Sequence, residues 1–164
     1  MSKEQKIYLI MKDYLLNNEW VLLGGEPPDG TDTIPRIEIK ESNETAKGSK
    51  GSKKIDLIAF KNNYFLLIEL KDKFDIADVN KLSNIVENKR ESFIKALKEK
   101  KILEKNFIKI DEKQYIGSSY FFVKSIAYIG EGDIPTNFIV FNIKNDEIKL
   151  SYGDNIRQEI KRLF

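Results

Sequence analysis

The chain has 164 residues, 41% of them hydrophobic and 33% charged, with a formal net charge of +2 and neither cysteine nor histidine. That balance suits a soluble globular chain long enough for one hydrophobic core. The missing residue types exclude Ser-His-Asp hydrolases, histidine-dependent nucleases, disulfides and Cys/His zinc sites.

Any catalysis near neutral pH must therefore use carboxylates, lysine, tyrosine, hydroxyls or a metal. No apolar run is long enough to span a membrane, and the N-terminus lacks the apolar core of a secretory signal, so a cytoplasmic location is expected. With so small a net charge, nucleic-acid binding would require basic residues clustered locally.

In chain order, Lys3 to Asn17 reads as an amphipathic helix capped by Ser2, with Ile7, Ile10, Met11, Tyr14 and Leu15 on one face. Glu4 falls on that same inward stripe. Glu19 to Leu23 reads as a short strand, and Gly24 to Gly30 as a turn-rich loop. Ile34 to Lys40 alternates like an edge strand, with Arg36, Glu38 and Lys40 outward. Glu41 to Lys54 is Gly- and Ser-rich and carries Lys47, Lys50, Lys53 and Lys54, a set suited either to a solvated loop or to phosphate contacts.

The stretch from Lys53 to Leu82 organises the rest. Two apolar runs, Ile55–Phe60 and Tyr64–Leu70, flank a turn at Asn62-Asn63, and both lack polar alternation, as expected of central strands covered on each side. A hairpin there sets Asp56, at the opening of the first run, beside Glu69, near the end of the second. Side-chain alternation puts Glu69 and Lys71 on one face. Two facing carboxylates in an apolar sheet repel unless a cation lies between them. Mg²⁺, a hard cation that takes one or two carboxylates plus water and phosphate, answers that need, and a neighbouring ammonium can orient or help deprotonate the attacking water. The chemistry suggested is phosphodiester hydrolysis. The competing reading is a buried Glu69–Lys71 ion pair with Asp56 as a turn residue.

Asp56 followed by Glu69-Leu70-Lys71 after a hydrophobic strand resembles the PD-(D/E)xK nuclease superfamily, which includes type II restriction endonucleases and Holliday-junction resolvases. Ile55 stands where that family often has proline, and the resemblance covers roughly Glu4 to Leu82. It implies a restriction-endonuclease-like α/β fold with a mixed central sheet flanked by helices. It also implies Mg²⁺ held by Asp56, Glu69 and the Leu70 carbonyl, Mn²⁺ as a substitute, inhibition by Ca²⁺, and Lys71 beside the water. A glutamate from the first helix often joins such sites; Glu4 is the candidate, Glu19 a weaker one.

The implied activity is DNA endonuclease, most like a small restriction enzyme, acting as a homodimer or with a partner nuclease subunit. A structure-specific nuclease and a non-catalytic DNA-binding or scaffolding domain are the alternatives, and RNA remains open as substrate. Arg36, Lys47, Lys50, Lys53, Lys54 and Lys73 are the candidate DNA contacts, with the Tyr115–Tyr120 loop for recognition.

Downstream, Asp75 is placed to cap a helix whose inward stripe is Ile76, Val79, Leu82 and Val86. A break is expected near Glu87–Lys89, and Phe93, Ile94 and Leu97 continue the stripe. Lys81 reads as a solvent-facing charge. Phe107–Ile110, Tyr120–Ile129, Phe138–Ile143 and Glu147–Tyr152 are strand candidates, and Asp154 a cap for a last helix. The expected organisation is one domain over 1–164, with a catalytic core of about 3–105 and C-terminal strands and helix in 106–164.

Overall fold

Helix α1 (Lys3–Asn17) starts where the sequence places it. Ser2 and Gln5 form a reciprocal capping box, with Gln5 N–H donating to Ser2 Oγ at 3.1 Å and Ser2 N–H donating to Gln5 Oε1 at 2.8 Å. Its buried face is Ile7, Tyr8, Met11 and Leu15. Ile10 and Tyr14 lie at the margin, so the stripe is rotated toward Tyr8. Glu4 is exposed, against the inward position expected of it. The helix meets its core only from Ile7 onward, which leaves the first turn in solvent.

The computed structural model describes residues 1–40 and 53–164. Strand β1 (Val21–Gly25) includes the two glycines expected in a loop. It runs antiparallel to β4 (Leu57–Lys61), with a bulge between Leu22 and Gly24. A 3₁₀ turn at Pro28–Gly30 follows. The expected Ile34–Lys40 strand contracts to β2 (Glu38–Ile39), paired with β3 (Lys53–Lys54) as a separate ribbon. Pro35 is used differently: its carbonyl accepts from Gly25 N–H at 2.9 Å.

β4 and β5 (Tyr64–Lys71) form the expected hairpin. Asn62 and Asn63 take φ values of 49° and 73°, the left-handed pair that matches strand twist in a two-residue turn. Asp75 caps α2 (Ile76–Asn88) by accepting from Ala77 N–H at 2.9 Å. The break falls at Lys89, and α3 (Arg90–Glu99) follows. Short helices α4 (Ile102–Lys105) and α5 (Glu112–Gly117) lead into β6 (Phe122–Ile129), β7 (Phe138–Lys144) and β8 (Glu147–Tyr152), and α6 (Gln158–Lys161) closes the chain.

The six-stranded sheet has the order β1-β4-β5-β6-β7-β8. β5, β6 and β7 are parallel to one another, and the outer pairings are antiparallel. Phe65 and Leu67 of β5 pack with Leu82, Ile85, Phe93 and Leu97 of α2 and α3 on one face. Leu66, Ile68 and Leu70 pack with Ile7, Met11 and Leu15 of α1 on the other. β4 and β5 are therefore covered on both sides, which is why their runs show no polar alternation.

Three further expectations fail. Phe107–Ile110 is not a strand. Phe107 has φ 58° and is 96% exposed, and Ile108 N–H returns to Leu103 O at 2.9 Å, closing the turn after α4. Asp154 does not cap α6, which begins after Arg157. Ile76, the first residue of α2, is 58% exposed, whereas Asp78, Leu82, Ile85 and Val86 are the buried positions.

Candidate metal and nuclease site

Asp56 ends the approach to β4, and Glu69 lies two residues before the end of β5. The hairpin register Leu57↔Ile68 puts them side by side. Both point to the α2 face, Asp56 in phase with Ile58 and Phe60, and Glu69 in phase with Phe65 and Leu67. Two reciprocal bonds fasten them. Asp56 N–H donates to Glu69 Oε2 at 2.9 Å, and Leu70 N–H donates to Asp56 Oδ2 at 2.7 Å. Each carboxylate is thus aimed by the other's strand.

β1 sets the backbone of this corner. Glu26 N–H donates to Asp56 O at 3.1 Å. A Cβ on Gly25 would lie 2.1 Å from that same carbonyl, so only glycine permits the approach.

The electrostatics are unfavourable, and deeply so. Glu69 is 3% exposed. Burial, and then the charge of Glu69, push the Asp56 carboxyl up to about 8. A third acid stands close by. Asp78, in the first turn of α2, is buried, and burial followed by the Glu69 charge raises it to about 6. Lys71 is raised above the usual lysine value, by Asp78 first and then by Glu4, Asp75 and Asp56. Its ammonium therefore lies in the field of Asp78, Asp75 and Asp56, and Glu4 contributes to that field from the exposed first turn of α1.

Glu69 does not pair with Lys71. Its Oε1 accepts from the Lys81 ammonium, one helical turn beyond Asp78 on α2. Among the described residues Lys71 forms no ion pair of its own. Lys81 was expected to face solvent; it turns in because Asp78, Lys81, Leu82 and Ile85 share the inward side of α2. Asp78 and Lys81 are thus the two members of the corner that the sequence reading missed. Their spacing of three residues, in the helix following Glu69-Leu70-Lys71, is the signal that was there.

The basic candidates divide. Lys47 and Lys50 fall outside the described residues. Lys53 and Lys73 are exposed at the same end of the strands as the acids. Arg36 bonds Glu26 at 2.9 Å, and Lys54 stands 4.0 Å from that carboxylate, so both are already partnered. The Tyr115–Tyr120 segment lies elsewhere: Tyr115 is buried and its hydroxyl bonds Asn63 O, at the hairpin turn, the opposite end from Asp56 and Glu69. The segment does not line the acidic corner.

Among the described residues no group of three or more acidic, histidine or cysteine side chains is arranged as a metal cage. The pair Asp56–Glu69 nevertheless matches what Mg²⁺ takes from protein, two hard oxygen donors, with water and phosphate completing the shell. Two carboxylates held together against their own repulsion are chemically the right donor set. Compared with known proteins, the chain matches no family model, no curated protein and no solved structure. Among the described residues no helix is long and apolar enough to cross a membrane.

Proposed function

We propose that this chain is a metal-dependent endonuclease of the restriction-endonuclease-like kind, hydrolysing DNA phosphodiester bonds. The observation that carries the reading is the fastened pair Asp56–Glu69, kept in contact although burial and Glu69 drive the Asp56 carboxyl to about 8. Such a pair costs stability, and acids with strongly raised carboxyls cluster where they serve chemistry. A bound Mg²⁺ or Mn²⁺ would polarise the phosphoryl oxygen and acidify its water.

The chain's own residues have separate tasks in this reading. Asp56 and Glu69, with the Leu70 carbonyl, hold the metal. Lys71, ammonium-charged and free of an ion pair among the described residues, is positioned for the attacking water or for the negative charge that develops on phosphorus. Glu4 tunes Lys71 from a distance, and Lys53 and Lys73 offer backbone contacts. Cutting both strands of a duplex requires a second site, from another copy or a partner nuclease subunit. A cytoplasmic location belongs to the same proposal.

The test is incubation with Mg²⁺ and a panel of plasmid, junction, flap and RNA substrates, with EDTA controls. EDTA-sensitive cutting of linear duplex supports a restriction-type enzyme, and cutting of branched DNA alone supports a structure-specific nuclease. A non-catalytic DNA-binding domain is the second reading. The observation favouring it is Lys81, which occupies Glu69 Oε1; absence of cutting on every substrate would decide for it.

A further inference from the structure

Glu69 has both oxygens engaged: Oε2 by Asp56 N–H and Oε1 by Lys81. The first partner is a backbone N–H at the entry to β4, held in place by the hairpin beside it. The second is a side chain on a helix, and its character is different. Lys81 carries its charge on a flexible four-carbon stem, and 28% of its side chain is open to solvent against 3% for Glu69. Its charge is felt by all three acids of the corner, since it lowers both Asp56 and Asp78 while bonding Glu69.

We infer that Lys81 is a built-in stand-in for the metal: it holds Glu69 in the metal-free chain and must release Oε1 when a divalent cation enters. This rests on the nuclease reading of the same corner. Each carboxylate oxygen keeps a second lone pair. A dication using it would nevertheless lie against an ammonium, in a corner with little water to screen the two. The cations therefore exclude each other. Asp78, three residues earlier on the same side of α2, is the acid toward which the freed ammonium can turn. Lys81 is thus a positioning residue. It keeps Glu69 in ligand geometry beside Asp56 before the metal arrives, and sets a threshold for metal entry.

The test is Mn²⁺ affinity, read by electron paramagnetic resonance on the full chain without substrate. Lys81→Met is expected to bind Mn²⁺ about tenfold more tightly than wild type at the same pH, because the competing charge is gone. Equal or weaker binding by Lys81→Met, with wild type still binding, would falsify the exchange while leaving the metal site intact. No binding by either protein would remove the inference together with the nuclease reading. A measurement on wild type avoids dependence on the variant's folding. The ¹H–¹⁵N ammonium signal of Lys81 should shift or vanish on Mg²⁺ saturation, while that of Lys12, held by Asp32 under α1, stays in place. An unmoved Lys81 signal in metal-saturated protein overturns the exchange.

Discussion

Two half-buried acids in this molecule each sit near a lysine and accept a hydrogen bond, and they behave in opposite ways. Asp32 accepts from Lys12 and from Tyr8 Oη, the latter at 2.8 Å, and so pins the loop after the 3₁₀ turn to α1. Its carboxyl is held below the usual value, by Lys12 first. Asp56 also sits among donors and near lysine, yet it is raised to about 8. The difference is burial first and charge stoichiometry second. Asp32 is one acid against one cation and a hydroxyl. Asp56, Glu69 and Asp78 are three acids against Lys71 and Lys81, in a less hydrated place. The first arrangement is complete as it stands; the second is short of positive charge. That deficit is what the proposed divalent cation would make good.

The largest effect expected from this contrast is on cleavage. Lys71→Ala should lower the rate by about 10²–10³, the size of losing a group that stabilises developing charge, and Asp56→Ala should abolish it, with DNA binding largely spared in both. Asp32→Asn should leave cleavage unchanged. A cleavage assay beside a gel-shift titration checks all three, and normal cutting by the first two would mean that the site is misassigned.

Next in size is the corner's geometry. Gly25→Ala puts a methyl group against the Asp56 carbonyl. A loss of about 3 kcal/mol in a denaturant melt is expected, as for a backbone clash inside a sheet. A melt unchanged from wild type would show that β1 does not hold Asp56.

Stability against pH should then separate the two acids by sign. The raised Asp56 binds its proton in the fold up to about 8, far above its ordinary value of 3.8. Its effect is absent below pH 4, stability falls as pH rises from there to about 8, and the full cost stands above. Asp56→Asn should therefore stabilise the metal-free chain at pH 8 by about 2 kcal/mol, and by nothing near pH 4. The lowered Asp32 works the other way. Its contribution is present above the ordinary carboxylate range and lost as pH falls through its lower folded value. Asp32→Asn should cost about 1 kcal/mol at pH 7, the pair being partly screened by solvent. Thermal melts of both variants at pH 4 and 8 would show it, and like signs at pH 8 would erase the distinction between them.

How much of this was legible beforehand depended on what each residue's position was tied to. Asp56 and Glu69 sit on a hairpin whose turn, Asn62-Asn63, fixes the register, and strand alternation then fixes the face. Pairing between them could be reasoned from sequence. Lys81 and Asp78 sit on a helix, and its rotation about its own axis depends on how Leu82 and Ile85 meet the sheet. Ile76, apolar yet exposed, drew the stripe off by part of a turn. At Phe107–Ile110 the apolar alternation is real, since Ile108 and Ile110 pack against the core, but it belongs to a connector closed by local helical bonds rather than to a ladder. The Gly24–Gly25 pair read as a loop because glycine in a strand is costly; here it is the close approach to Pro35 and Asp56 that requires it.

The central claim is that a divalent cation belongs between Asp56 and Glu69. Calorimetric titration of the metal-free chain with Mn²⁺ at pH 7, repeated in buffers of different ionisation enthalpy, counts ions bound and protons released together. One ion per chain with about one proton expelled, and loss of both in Asp56→Asn, is the expected result. Absence of binding, or binding that Asp56→Asn leaves untouched, would contradict it.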